Sequence, residues 1–358
     1  MAKNKEEYEK SKGFITAYSF MKWLNNEYLK ENPDMMWIKE ASSISIQKAT
    51  QDANMAFKRF FKGMSKYPKF KKKNKSDVKM YFTRYGKNNY IKCERHRIKI
   101  PAIGWIKLKE NGYIPTNHNT HIIKNGTISY KAGRYYVSVL VEEMEPMREK
   151  LNSFGIGIDL GIKEFAILSN GSIYKNINKS QEIKQLGKKL KREQRKFSRK
   201  YESYKKRKNI DEDCTKFNYE KQRLKIQKLY QRLDNIRTDY INKCISEIVK
   251  AKPSYITIED LNVSGMMKNK HLSKAVQEQN FYEFRNKLTA KCKECGIELR
   301  VVNRFYPSSK TCHNCGCIKH DLKLSERVYK CPDCGFTIDR DLNAALNLRD
   351  SKIYKVTL

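Results

Sequence analysis

What the chain lacks narrows its setting first. No run of apolar residues approaches the ~20 needed to cross a bilayer, and mean hydropathy is −0.79. Met1 to Lys12 is charged and holds no apolar signal region. No lipidation motif and no internal repeat are present. These absences predict an intracellular protein, whose ten cysteines serve as thiols or metal ligands and not as disulfides. Acidic residues are scarce: 39 Asp plus Glu stand against 75 Lys plus Arg, a net charge of +36 over 358 residues. Self-repulsion of that size asks for a polyanionic partner, and nucleic acid is the commonest, because displaced counterions drive its binding. A membrane surface is the competing partner, but it would want a strongly amphipathic basic helix or a lipid anchor.

What is present fits a nucleic-acid groove. Aromatics are interleaved with the basic residues, as in Tyr67-Pro68-Lys69-Phe70-Lys71-Lys72-Lys73, a pattern that pairs backbone contacts with stacking platforms. Residues 14–63 read as helical, with Ile46, Ala49, Ala53, Phe57 and Phe60 on one buried face. Lys58, Arg59 and Lys62 fall off that stripe and can face phosphates, and a basic linker follows at Lys66 to Lys75. Residues 78–146 turn to β-pattern, with turn signals at Asn111-Gly112 and Asn125-Gly126, and predict a small antiparallel barrel.

From Phe154 the pattern becomes α/β. Ile156, Ile158 and Leu160 alternate with Gly157, Asp159 and Gly161, and a hairpin partner at Phe165 to Leu168 ends at Asn170-Gly171. Long helices run from about Gln181 to Val249, with an apolar stripe at Leu229, Leu233, Ile236, Tyr240, Cys244 and Ile248. Lys188 to Lys208 is dense in positive charge and reads as a contact surface for nucleic acid. The strand Tyr255 to Ile258, a helix near Glu278 to Cys292, the strand Glu298 to Val302 and a last helix Leu342 to Leu348 complete the region.

Two C-x2-C knuckles, Cys312/Cys315 and Cys331/Cys334, lie fifteen residues apart. That arrangement can place four thiolates tetrahedrally around Zn²⁺, and four cysteines leave no open position, so the zinc is expected to be structural. Gly316 and Gly335 follow the knuckles, where the tight turn favours a residue without Cβ. Cys317 is a spare thiol, Cys292/Cys295 has no second pair, and Cys93, Cys214 and Cys244 are ordinary thiols.

Three carboxylates stand out by position. Asp159 lies mid-strand on the small-residue face, where Gly157 and Gly161 are expected to leave room for ions. An acid placed there is costly without a partner or a metal. Glu259 ends the next strand, and Asp341 begins the last helix, with Asp339 as the alternative third acid or an N-cap. Acids that converge from separate elements suit Mg²⁺ chemistry on phosphodiesters. Spacing alone leaves an enzyme and a binding module both open.

Four ordered motifs then make the sequence familiar: Gly157-Ile158-Asp159-Leu160-Gly161, Ile258-Glu259-Asp260-Leu261, Pro307-Ser308-Ser309-Lys310-Thr311-Cys312 and Asp339-Arg340-Asp341-Leu342-Asn343-Ala344-Ala345. Together they resemble the OrfB/TnpB family of bacterial insertion sequences, which is similar to the compact type V CRISPR effectors. The resemblance implies a multidomain α+β and α/β protein. Its parts would be a helical recognition domain with linker (1–75), a β-barrel wedge domain (76–150), an RNase H-like (RuvC) nuclease domain with long basic helices (151–305), a zinc ribbon (306–338), and a final nuclease helix and tail (339–358). It implies an RNA-guided DNA endonuclease, bacterial, cytoplasmic and nucleoid-associated. The partners would be a transposon-derived guide RNA and a double-stranded DNA target. Asp159, Glu259 and Asp341 would hold two catalytic Mg²⁺ ions, and Lys310 is a further candidate contact to nucleic acid. Family members usually begin with a wedge-barrel strand, whereas this chain opens at Met1-Ala2-Lys3-Asn4 inside the first recognition helix. An incomplete barrel is the expectation. The alternatives are a transposase or transposition accessory protein, for which no dedicated helix-turn-helix is evident, and a non-cleaving RNA-guided DNA binder.

Overall fold

A computed structural model describes residues 2–11, 13–69, 78–84, 91–117, 120–143, 150–211, 214–323 and 325–357. The chain divides into two compact units, Met1–Pro146 and Met147–Leu358.

In the first unit, α1 (Ala2–Ser11) precedes α2 (Ala17–Trp23), whose N-cap Thr16 accepts a hydrogen bond from the Ser19 amide. A π-helical turn, Leu24–Tyr28, leads into α3 (Leu29–Glu31), and a 3-10 stretch then spans Pro33–Glu40. The continuous helix expected over 14–63 is therefore interrupted, because Pro33 cannot donate the next helical hydrogen bond. Helix α4 (Ser43–Phe61) buries Thr50 and Phe57, the latter 5% exposed, and Thr50 satisfies its hydroxyl on the Ile46 carbonyl. Ala49, expected on the buried stripe, is exposed. The face runs through Thr50 instead, one position on, at the spacing that keeps residues on one side of a helix.

Six strands follow: β1 (Val78–Thr83), β2 (Cys93–Glu94), β3 (Arg97–Ile100), β4 (Gly104–Lys107), β5 (His121–Lys131) and β6 (Arg134–Glu143). They form two three-stranded antiparallel sheets, β1-β5-β6 and β2-β3-β4. The sheets share a core of Phe82, Ile91, Cys93, Ile98, Ile100, Ile114 and Ile123. The turn expected at Asn125-Gly126 is absent; both residues lie within β5, beside a bulge between Ile123 and Asn125. Gly126 pairs with Phe82, whose ring occupies the place a Cβ would take, 2.3 Å away. The hairpin turns at Ala132-Gly133, both at positive φ (49° and 82°), the two-residue geometry that matches strand twist.

The second unit is built on a six-stranded sheet. Its elements are β7 (Gly155–Leu160), β8 (Glu164–Leu168), β9 (Ile173–Lys175), α5 (Gln181–Lys208), α6 (Phe217–Lys250), β10 (Tyr255–Glu259), α7 (Val263–Met266), α8 (Ser273–Gln279), α9 (Phe281–Cys295), β11 (Glu298–Val302), β12 (Val328–Lys330), β13 (Thr337–Asp339), α10 (Arg340–Arg349) and β14 (Lys355–Thr357). The sheet order is β14-β11-β10-β7-β8-β9. Strand β10 runs parallel to both β7 and β11, while β7, β8 and β9 form an antiparallel meander. Asn280, at a left-handed φ of 53°, splits the helix expected over 278–292 into α8 and α9. Ile156, Ile158, Ile256 and Ile258 pack with Ile241 and Ile245 of α6 and Phe284 and Leu288 of α9 in one buried cluster. The alternation of each strand leaves the opposite face for α10.

Candidate functional site

Gly157 determines how that face is used. A Cβ built there would lie 2.0 Å from the Ala345 carbonyl oxygen and 2.5 Å from the Arg349 nitrogen, both backbone atoms of α10. The space at Gly157 thus admits a helix and not ions, which corrects the expectation drawn from the small-residue face. Close approach carries the first turn of α10, and with it Asp341, toward the end of β7. Asp339 is the N-cap: its Oδ1 accepts from the Asp341 and Leu342 amides at 3.0 Å, and its side chain is exposed. The Asp341 side chain is 19% exposed, and its charge weighs more on Asp159 than that of Asp339.

Glu259 arrives by strand register. Thr257 pairs with Gly157 and Ile258 with Ile158 in the parallel β10–β7 ladder. One step further sets Glu259 beside Asp159, on the same face and about 4.8 Å away strand to strand. The electrostatics record the convergence. Burial, then the charges of Asp341 and Glu259, push the Asp159 carboxyl up to about 7, against a partial opposing pull from Arg340. Burial, then Asp260, also raises Glu259. Asp341 is held by Arg340 at 3.1 Å and by Arg327 at 3.5 Å. Hard oxygen donors that mutually repel are the chemistry a divalent cation relieves.

A second acid sits next to the first. Asp260 binds Arg285 at 2.6 Å through one oxygen and Arg304 at 2.9 Å through the other, which holds its carboxyl below the usual range. A cavity of about 300 Å³ opens there, lined by Leu160, Glu259, Phe281, Tyr282, Arg285 and Arg304 among others. The basic surfaces lie elsewhere. Lys58, Arg59 and Lys62 are exposed on and just after α4, as expected. Lys71, Lys72 and Lys73 lie outside the described residues. Lys310 donates to the His320 carbonyl at 3.1 Å. On α5 and α6, Lys188, Lys189, Lys191, Arg192, Arg195 and Arg232 line a groove of about 690 Å³.

The cysteines gather as the spacing predicts. The sulfurs of Cys312, Cys315, Cys331 and Cys334 all lie within 4.8 Å of one another, with Cys312–Cys334 at 3.7 Å and Cys315–Cys331 at 3.5 Å. A tetrahedron with 2.3 Å metal–sulfur bonds has edges of about 3.8 Å. Among the described residues no other set of three or more Cys, His, Asp or Glu side chains is so tightly grouped, so the three carboxylates converge without meeting. The Cys334 amide draws Cys331 down to about 6, and the Phe336 amide lowers Cys334, while burial raises Cys312. Gly316 and Gly335 sit at φ of 78° and 70° in open space, so backbone conformation and not crowding requires them. Cys317 stands outside the group; its carbonyl accepts from the Cys312 amide.

Sequence reasoning missed the clamp that joins this cluster to α10. Asn343, fully buried, accepts from the His313 amide and donates to the Thr311 carbonyl. Asn347 donates to the Ser308 and Thr311 carbonyls. Two asparagines four apart on the last helix were the available signal, since buried amides are there to be hydrogen-bonded.

Comparison with known proteins shows the family. Residues 137–270 match the family described as "Probable transposase" (OrfB_IS605), and residues 281–348 match "Cas12f1-like, TNB domain". The chain is 31% identical over 323 residues to a protein of Streptomyces pristinaespiralis named "Putative RNA-guided DNA endonuclease", covering 89% of this chain and 74% of that one. It is 29% identical to "Putative RNA-guided DNA endonuclease InsQ" of Escherichia coli (strain K12), covering 97% and 83%. Its fold is similar to a chain of the "Cryo-EM structure of the Cas12f1-sgRNA-target DNA complex", with a TM-score of 0.60 at 16% identity, covering 98% of this chain and 78% of that one.

Proposed function

The chain belongs to the OrfB/TnpB family, and from that premise we propose that it is an RNA-guided DNA endonuclease whose cutting site is Asp159, Glu259 and Asp341. The observation that carries the site is the convergence of three acids from three elements: burial, and then the charges of Asp341 and Glu259, push Asp159 up to about 7. The strand order, with three antiparallel strands continued by two parallel ones, supports an RNase H-like (RuvC) nuclease domain in the second unit. The two sheets of the first unit support a wedge domain after a helical recognition region. The four-cysteine cluster supports a structural zinc ribbon, clamped to α10 by Asn343 and Asn347.

Bound at the three carboxylates, Mg²⁺ would activate water and stabilise the leaving oxygen of a phosphodiester. The protein's own part is positional. Asp159 must give up its proton to become a ligand, and Glu259, raised in the same sense, holds the neighbouring position. Arg327 and Arg340 fix Asp341 and temper the negative charge around it. The groove on α5 and α6, with the net charge of +36, suits a guide heteroduplex held by shape and backbone while base pairing reads sequence. A non-cleaving binder would not need three converging acids, so cutting is the better reading.

The test begins with purification that retains bound nucleic acid and sequencing of what accompanies the protein. One discrete structured RNA with a variable end is expected. A matching duplex target should then be cut with Mg²⁺ by the wild type and left intact by Asp159→Ala, while RNA binding persists. Cutting by Asp159→Ala would remove that residue from the site.

A further inference from the structure

We infer that the cavity beside Glu259 is a nucleobase pocket that seats the nucleotide next to the scissile phosphate of a single DNA strand. The inference rests on the nuclease reading above and adds a substrate subsite to it.

The cavity opens at the carboxyl ends of β7 and β10, where ligands gather in open α/β sheets. It shares Glu259 with the proposed cutting site, which puts its mouth at the end of the strand that carries that acid. Its lining divides by chemistry. Leu160 and Phe281 give an apolar wall, and the Tyr282 ring stands at the cavity with 70% of its surface exposed. An aromatic left that open on a nucleic-acid enzyme is a stacking platform, which every base can use through its π-face. On the other side stand two guanidiniums. Asp260 takes one nitrogen of Arg285 and one of Arg304. A guanidinium carries five N–H donors, so each arginine keeps donors for a phosphate oxygen while Asp260 fixes its orientation. An apolar slot, an open aromatic and two tethered cations at one mouth are the parts needed to hold a base and its phosphate together. Duplex DNA cannot offer a stacked base to such a slot, so the substrate is a strand already unpaired. Tyr282, Arg285 and Arg304 are thus binding residues and Asp260 a positioning residue.

The first test does not depend on cutting. A single-stranded oligonucleotide with 5-iodouracil at one position is irradiated with the guide-loaded protein in Ca²⁺, and the adducts are mapped by mass spectrometry. Crosslinking at Tyr282 is expected; adducts confined to the α5 and α6 groove would overturn the pocket, whether or not the protein cuts. The second test moves an abasic nucleotide along the strand of a matching target. Wild-type cleavage should fall about tenfold or more when the missing base adjoins the cut, the value of one base stacked on an aromatic. Tyr282→Ala should cut both substrates at the same reduced rate. Equal wild-type cutting of abasic and normal strands would refute the pocket and leave the nuclease assignment standing. Asp260→Asn should raise KM for the strand with kcat nearly unchanged, and an equal fall in kcat would mark a merely structural role.

Discussion

Asp159→Asn should stabilise the metal-free protein above pH 7 while destroying its cutting. In the fold the Asp159 carboxyl is raised to about 7 by burial and by Asp341 and Glu259. An unfolded aspartate titrates near ~3.9. A raised carboxyl favours its protonated form in the folded state. The wild type is therefore unpenalised at low pH and loses stability as pH rises from the unfolded value through the folded one. Between pH 5 and pH 7 that loss has a ceiling of about 3 kcal/mol, at 1.36 kcal/mol per unit. Asparagine cannot ionise and escapes it. For a unit of this size, ~1 kcal/mol moves Tm by about 2–4 °C, so the variant should gain about 5–10 °C over wild type between pH 5 and pH 8. Differential scanning fluorimetry of RNA-free protein reads this directly, in magnesium-free buffer that leaves zinc in place. Added Mg²⁺ should restore the wild type at pH 8 and leave the variant unmoved, because only the ionised site gains from the ion. A gap in Tm that stays constant from pH 5 to pH 8 would refute the convergence of charge on Asp159.

Three further outcomes follow from the same geometry. Gly157→Ala should cost about 1–3 kcal/mol or more, since an added methyl meets the Ala345 carbonyl and must lift α10; cleavage should fall while zinc content stays at wild-type level, measured by elemental analysis. Cys312→Ser should lose the zinc and unfold the ribbon, and full zinc occupancy in that variant would contradict the four-thiolate site. Asn343→Ala leaves the His313 amide without its side-chain partner, while the Thr311 carbonyl keeps Asn347, at about 1–3 kcal/mol for the one unsatisfied group. Hydrogen exchange should rise at the first knuckle, and unchanged protection would sink the clamp.

The three acids and the four cysteines stand out in the sequence because each belongs to a local pattern. Asp159 interrupts an apolar strand, Glu259 ends one, and the knuckles carry their own spacing. The features that needed three dimensions were misread or missed. Gly157 is small for the sake of a helix far along the chain, which no local pattern announces. Asn125-Gly126 has the composition of a turn, but the ring of Phe82 needs a glycine opposite it, and the bend falls at Ala132-Gly133. Thr50 replaced Ala49 on the buried face of α4 because a threonine can hide its hydroxyl on the preceding turn. The paired arginines on Asp260 come from α9 and from the segment after β11, and only the fold brings them to one carboxylate.

The slot at Gly157 also sets an order of events during synthesis. Strand β7 leaves the ribosome early, whereas α10, which fills the slot and brings Asp341, is made much later. At ~5–20 residues/s, the roughly 180 residues from Asp159 to Asp341 take about 10–35 s to appear. Once β10 has been made, the nascent chain carries the basic helices α5 and α6 but only two of the three acids of the proposed cutting site. It can engage a polyanion before it can cut one. A premature stop between β10 and α10 would freeze it in that condition, as a product that occupies RNA or DNA and leaves the phosphodiester whole.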